Sequence, residues 1–115
     1  MLPNPPADPL PESAFFILLS LAAGPRHGYA VLKDIEEISR GKVSLSVSTL
    51  YTTLGRLQEQ DLIERSDKGD GDAGPGLPRK VYRLTQRGVG ALDEEARRLQ
   101  VLLSVYRQRF GEESR

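Results

Sequence analysis

Apolar residues along this chain recur mostly at the three- and four-residue spacing of an α-helix. The run AFFILLSLAA at 14–23 begins after a Pro-Glu pair and ends at a Gly-Pro pair, which predicts a first, buried helix. In YAVLKDIEEIS at 29–39, Val31, Ile35 and Ile38 share one face and charged side chains occupy the other. The chain is therefore expected to begin with two helices joined by the turn GPRHG.

The stretch VSLSVSTLYTTLGRLQEQ at 43–60 shows two different periods. Its first five residues alternate apolar and polar like a strand, but from Val47 onward the apolar positions Leu50, Leu54 and Leu57 follow at intervals of three, four and three. We predict a helix from about 47 to 60, with Ser46 as its N-cap. Its opposite face is short, polar and rich in hydroxyl groups, and comprises Ser48, Thr49, Thr52, Arg56 and Glu59.

Two short segments carry the composition of strands. DLIERS at 61–66 and RKVYRLT at 79–85 are separated by the Gly-rich connection DKGDGDAGPGLP. This pattern predicts a hairpin over 61–84 whose tip, about 67–78, is mobile.

One long helix is predicted from its N-cap Thr85 to about Phe110. Its apolar positions keep intervals of three and four throughout, which is a heptad seam typical of helix pairing. The seam is expected to form a dimer, although it can also pack on the first helix of its own chain. Its members are Val89, Leu92, Ala96, Leu99, Leu103, Tyr106 and Phe110.

The element order is typical of a winged helix-turn-helix domain within a mainly α, α+β fold. We predict a flexible Pro-rich arm at 1–11, which holds five of the eight prolines, and a DNA-binding domain at 12–84. A C-terminal dimerisation helix and tail follow at 85–115. A length of 115 residues suits one such domain.

Composition narrows the function further. The chain has no cysteine and one histidine, which excludes thiolate chemistry and His-rich metal sites, and no nucleophile, base and orienting group can be assembled. We therefore expect no enzyme, no cofactor and no metal. The longest apolar run is too short to span a bilayer, so we expect no membrane partner and a cytoplasmic location. The formal net charge of zero requires any basic surface to be local.

Several features have a simpler interpretation beside the functional one. The hydroxyl-rich helix face can be an ordinary solvated face, and Arg79 and Lys80 can be charges that protect an edge strand. His27 is interpreted as a turn or helix-start residue. The Asp-rich DGDAG lacks the acidic ligands of a calcium loop, and no phosphate loop follows from its glycines.

Three segments together resemble the PadR family of bacterial transcriptional regulators. HGYAVLKDIEEIS, LSVSTLYTTLGRLQEQDLIE and RKVYRLTQRG are similar to the family's GY-x-L helix, TLY-x-x-L-x-R-L recognition helix and Y-x-L-T-x-x-G wing exit, over about residues 13–110. Two positions depart from the pattern: Asp61 replaces the usual glycine after the recognition helix, and the wing tip is acidic. With one C-terminal helix, the chain resembles the short subfamily.

The resemblance implies a bacterial repressor that binds a palindromic operator in double-stranded DNA as a homodimer, through the 47–60 helix and the wing. Its expected DNA-binding residues are Lys42, Ser46, Ser48, Thr49, Tyr51, Thr52, Arg56, Arg79 and Lys80. The alternative is a winged-helix protein-interaction module that does not bind DNA. A small-molecule effector is left open and unknown.

Overall fold

The structure, a computed structural model, describes residues 9–66 and 80–111. Most of the predicted arm, the predicted mobile wing tip and Arg79 lie outside these residues. The described part is a mainly helical winged helix-turn-helix with a small sheet and a long C-terminal helix, as predicted. Its elements are α1 (Glu12–Leu21), β1 (Arg26–His27), α2 (Gly28–Ile38), α3 (Val47–Glu59), β2 (Ile63–Ser66), β3 (Val81–Leu84) and α4 (Gln86–Tyr106), which continues as a π-helical turn (Arg107–Gly111).

One hydrophobic core joins the first three helices to the sheet. The predicted apolar faces meet there because each helix contributes side chains three and four residues apart, which lie on one side. The most deeply buried include Ile17 and Leu18 of α1, Ile35 of α2 and Leu54 of α3. Tyr82 of β3 closes the core from the sheet.

Two apolar residues assigned to this core are exposed instead. Val47 is 58% exposed and Ile38 is 44% exposed. Val47 is the first residue of α3 and Ile38 is the last of α2. Helical spacing places them on the apolar face, but the helix ends extend past the elements that cover the middle of that face.

The sheet has three antiparallel strands in the order β1-β3-β2, where the sequence predicted only a two-stranded hairpin. Arg26 pairs with Tyr82 and Ile63 pairs with Leu84. The prediction missed β1 because two residues are too few to show an alternating pattern. The Gly and Pro residues around them instead indicated a turn.

The start of α4 is fixed to the corner between α3 and β2. Thr85 caps the helix, as predicted, and its hydroxyl accepts a hydrogen bond from the Gly88 N–H at 3.0 Å. The same hydroxyl donates to the Asp61 carbonyl oxygen at 2.7 Å, and the Thr85 N–H donates to the Leu62 carbonyl at 3.1 Å. Asp61, which replaces the usual glycine, has a φ of 63° and so takes the left-handed conformation that glycine adopts most readily.

The heptad seam divides into two parts in the structure. Leu92 packs against the core of its own chain, next to Ala91. Beyond Glu95 the large apolar side chains are exposed, up to 67% at Phe110, whose ring lies 5.3 Å from that of Tyr106. Packing within one chain therefore accounts for Leu92, whereas Val89, 54% exposed, and the seam residues from Ala96 onward remain exposed.

Candidate nucleic-acid interface

The outer face of α3 presents hydroxyl groups to solvent. Ser48, Thr49 and Thr52 are exposed, on the side of the helix opposite Leu50 and Leu54. No charged residue lies between Val43 and Gly55, so this face is narrow as well as polar. Short hydroxyl side chains let a helix backbone approach another surface closely, and they can donate or accept hydrogen bonds.

The first turn of α3 fixes two of these hydroxyls. The Ser46 hydroxyl accepts a hydrogen bond from the Thr49 N–H at 3.0 Å, which confirms the predicted N-cap. The Ser46 hydroxyl also donates to the Thr49 hydroxyl oxygen at 3.0 Å. With both of these bonds formed, Ser46 has little capacity left for a ligand, whereas the Thr49 hydroxyl proton is free to be donated outward.

Tyr51 connects α3 to the start of α2. Its hydroxyl lies over Gly28, where an added Cβ would stand 2.6 Å from the tyrosine oxygen. A larger side chain at this first position of α2 would therefore displace the Tyr51 ring from its place over the helix start. No side chain caps α2, so the N–H groups of its first turn remain available beside the Tyr51 hydroxyl, which makes this corner suitable for an anion.

The sequence did not predict that Gly28 and the start of α2 would belong to the same surface as α3. The glycine after His27 was interpreted only as part of a turn. A glycine at a helix start gives no signal of its own in the sequence, because the tyrosine that packs on it belongs to another helix.

The predicted basic residues lie apart from one another. Arg56 is in the last turn of α3, at the edge of the hydroxyl face and beside Thr53 and Gln60. Lys42 is exposed in the connection between α2 and α3, and Lys80 is half-buried immediately before β3. None of these three cations forms an ion pair within residues 9–66 and 80–111.

Other charges near the sheet neutralise one another. The Arg83 guanidinium donates to the Glu64 carboxylate at 2.9 Å across β3 and β2. Arg26 approaches Asp34 at 3.8 Å and donates to the Ser20 carbonyl at 3.1 Å. Arg83 is therefore partly neutralised by its cross-strand partner.

No group of three or more His, Asp or Glu side chains in the described part of the chain is arranged to hold a metal ion. No helix found between residues 9 and 66 or between 80 and 111 is long and apolar enough to cross a membrane.

Comparison with known proteins shows the family to which this fold belongs. The family model described as the transcriptional regulator PadR-like family matches residues 17–94. The transcriptional regulator YqjI of Escherichia coli is 31% identical over 91 residues, which cover 79% of this chain and 41% of that protein. The chain thus spans about two fifths of the length of this curated relative.

Solved structures of the same kind are similar in fold. A PadR family transcription regulator from Clostridium difficile has a TM-score of 0.73 at 25% identity, covering 88% of this chain and 100% of the other. Bacillus subtilis PadR, crystallised in complex with operator DNA, has a TM-score of 0.62 at 26% identity, covering 70% of this chain and 44% of the other.

Proposed function

The chain belongs to the transcriptional regulator PadR-like family, and we propose that it is a repressor that binds a palindromic operator as a homodimer. The observation that carries this proposal is the uncharged, hydroxyl-rich outer face of α3 on a winged helix-turn-helix scaffold. The operator complex of the related Bacillus subtilis PadR supports it.

In this proposal α3 enters the major groove with its N-terminal half. Residues near the start of a recognition helix are the ones that reach base edges. Ser48, Thr49 and Thr52 lie in that half, and Thr49 offers its proton to an acceptor on a base or phosphate. Hydroxyls pair with several base groups, so they define the position of the helix more than they discriminate between bases.

The phosphate contacts surround this face. The Tyr51 hydroxyl and the free N–H groups at the start of α2 face one DNA strand, where a helix N-terminus favours an anion. Lys42 and Lys80, together with Arg79, add salt-dependent attraction without reading sequence. Arg56 lies in the last turn of α3, a place better suited to a phosphate than to a guanine.

The second half of α4 supplies the proposed dimer contact. Leu99, Leu103, Tyr106 and Phe110 continue the seam, all of them exposed in the single chain. Leu102 and the exposed Val101 and Val105 widen the apolar surface to an arc of about 200° at 100° per residue. This arc is wider than one facing helix covers, so we expect the partner copy to contact α4 from more than one side.

The proposal also covers the cellular location of the chain and its lack of an assigned catalytic activity. A protein that acts on an operator works where the chromosome lies, which for a bacterium is the cytoplasm. We assign no catalytic activity to the chain. The competing hypothesis is a protein-interaction module, favoured by the zero net charge and by the acidic pair Glu36 and Glu37 exposed on α2.

Binding of the full chain to the DNA upstream of its own gene tests the proposal. We expect affinity well above that for random DNA, and an affinity that falls linearly on a log–log plot against salt concentration. Thr52→Ala should weaken operator binding roughly tenfold, whereas Ser104→Ala, an exposed hydroxyl on the polar side of α4, should leave it unchanged. Equal affinity for operator and random DNA, without a salt slope, would favour the interaction module.

A further inference from the structure

Gly55 lies in the interior of α3, where glycine is an unfavourable residue. The helix continues on both sides of it, from Val47 to Glu59. Glycine loses more chain entropy than any other residue when a helix forms, so alanine in its place would make the helix more stable. The φ angle of Gly55 is not in the left-handed region that favours glycine. The helix conformation therefore gives no reason for a glycine at this position.

Packing within the chain gives no reason either. A Cβ added at Gly55 would meet no side chain and no other element within 4 Å among residues 9–66 and 80–111. Gly28 and Gly88 differ, because an added Cβ would overlap the Tyr51 hydroxyl at the first and the Leu62 carbonyl oxygen at the second. Neighbours in the same chain explain those two glycines, whereas the space over Gly55 is open.

The open space lies within the surface that we assign to DNA. At about 100° per residue around the helix axis, Gly55 lies between Tyr51 on one side and Ser48 on the other. Thr52 follows beyond Ser48, and all three of these neighbours are exposed. Gly55 thus separates the proposed phosphate contact of Tyr51 from the hydroxyls proposed to reach base edges. At this point the helix backbone itself forms the surface.

We propose that the sugar-phosphate backbone of the operator lies directly against α3 at Gly55, so that this glycine positions the recognition helix. Glycine allows a protein backbone to approach a ligand closely because it has no Cβ. The DNA strand is the one that the Tyr51 hydroxyl contacts, since Tyr51 lies one turn before Gly55 on the same side of α3. The close approach sets how far Ser48 and Thr52 reach into the groove. This inference rests on the proposed function.

Glu59 limits the contact at the end of α3. It is exposed, lies one turn after Gly55, and forms no ion pair within residues 9–66 and 80–111. The helix dipole disfavours an acid at a helix C-terminus, so Glu59 also lowers the stability of α3. A carboxylate repels a phosphate, and the strand that passes over Gly55 therefore leaves α3 before it reaches Glu59.

The test measures the thermal unfolding of the full chain and its affinity for the DNA fragment upstream of its gene. Gly55→Ala should raise the unfolding midpoint by roughly 4 °C, because the helix gains stability. It should also weaken operator binding about tenfold, since the methyl group holds the strand away from the helix. Gly55→Leu, which keeps a high helix propensity, should weaken operator binding at least about 100-fold without lowering the midpoint. A purely structural role would move stability and affinity in the same direction.

Gly90→Ala is the matched control. Gly90 is exposed on α4, and the space over it is also open, with nothing within 4 Å among the described residues. This variant should raise the unfolding midpoint by a similar amount and leave operator affinity unchanged. The proposal is overturned if Gly55→Ala and Gly55→Leu bind the operator as tightly as the unchanged protein, if Gly55→Ala lowers the midpoint, or if Gly90→Ala weakens binding equally.

Glu59→Gln tests the limit of the contact. Removing a charge near the strand but outside the contact should tighten binding to operator and random DNA alike, by about two- to threefold at low salt. A loss of operator affinity would overturn this limit, because the carboxylate would then accept a hydrogen bond from the DNA.

The two proposals fail in different ways. Failure of the proposed function appears in the unchanged protein, as equal affinity for operator and random DNA. Failure of the inference appears only in the variants, when the unchanged protein prefers the operator and Gly55→Leu prefers it to the same degree.

Discussion

The two halves of α4 carry the same apolar spacing but have different surroundings. In the first half, from Gly88 to Glu95, one face packs on α1, the sheet and the Asp61–Leu62 corner of its own chain, although the seam residue Val89 is 54% exposed. The second half, from Leu99 to Phe110, has large apolar side chains exposed to solvent. The difference shows that regular apolar spacing does not by itself determine whether the same chain covers those residues.

The first half of α4, which we call the attached half, is held by close backbone contacts that do not admit a larger side chain. At Gly88 an added Cβ would overlap the Leu62 carbonyl oxygen, which itself accepts the Thr85 N–H. The exposed half has no such constraint within one chain. Substitutions in the first half should therefore change folding, and substitutions in the second half should change association.

The largest effect is expected for Gly88→Ala. Backbone at Leu62 has to move to admit the methyl group, and such overpacking costs roughly 1–3 kcal/mol, sometimes more. Chemical denaturation should show this loss, or a chain that no longer folds. Gly90→Ala is the matched control: nothing lies within 4 Å of its added Cβ, so better helix propensity should stabilise the protein by about 0.5–1 kcal/mol. Equal effects of the two changes would mean that the start of α4 is not attached as described.

Leu103→Glu should break the association and leave the fold intact. A carboxylate placed in an apolar contact between copies is desolvated without a partner, which should raise the dimer dissociation constant at least about 100-fold. In the separate chain Leu103 is already 45% exposed, so the monomer should stay folded. Light scattering and circular dichroism measure the two properties, and Gln100→Glu on the polar side of α4 is the control. A dimer that persists in Leu103→Glu would place the interface elsewhere.

The difference between the two halves of α4 also explains which parts of the fold the sequence predicts. Helices α2, α3 and α4, with the Ser46 and Thr85 caps, follow from spacing and capping chemistry, because both are local properties. The strand β1 and the exposure of Val47 and Ile38 do not, because each depends on elements distant in sequence. A periodic pattern indicates which side of a helix is covered by neighbouring elements. It does not show how far along the helix that cover extends.

The candidate site divides in the same way. The hydroxyl face of α3 is a property of one helix, and the sequence identifies it. The Tyr51–Gly28 contact joins two helices, so it cannot be derived from one segment. The reason for a glycine such as Gly55 likewise depends on its neighbours in the folded chain.

Glu95 lies at the end of the attached first half of α4. We expect its substitution to lower the free energy of unfolding less than Gly88→Ala does. Its carboxylate is 7% exposed, accepts hydrogen bonds from Arg98 at 2.5 and 3.2 Å, and accepts one from the Leu10 N–H at 3.3 Å. Arg98 is the main cause that holds the pKa of Glu95 below its ordinary value, and the Leu10 N–H adds to it, against the raising effect of desolvation. Leu10, assigned to the arm, is thereby tied to α4.

Glu95→Gln should therefore destabilise the protein in a pH-dependent way. Because the pKa is lower in the folded chain than in the unfolded chain, the stabilisation is complete at neutral pH. It declines as the pH falls below the ordinary carboxyl pKa and is lost below the folded-state pKa. Unfolding free energies measured from neutral to acidic pH should converge for the two proteins. Asp93→Asn, which removes the exposed pair with Arg97, should have little effect at any pH. A constant difference down to the lowest pH would show that the contribution of Glu95 does not depend on its charge.

The smallest effect should come from Asp61→Gly, at the corner that holds α4. The left-handed conformation at φ 63° costs a residue with a Cβ roughly 1–2 kcal/mol, less for Asp, while glycine loses about 0.5–1 kcal/mol more chain entropy on folding. The net expectation is a gain of about 0.5 kcal/mol in unfolding free energy. The Thr85 hydroxyl bonds the backbone oxygen of Asp61, so this contact survives the change. Arg40→Gly, at φ 55° after α2, should gain a similar amount, and the dimer dissociation constant should stay the same in both variants. A loss of stability confined to Asp61→Gly would mean that the carboxylate itself helps to attach the first half of α4.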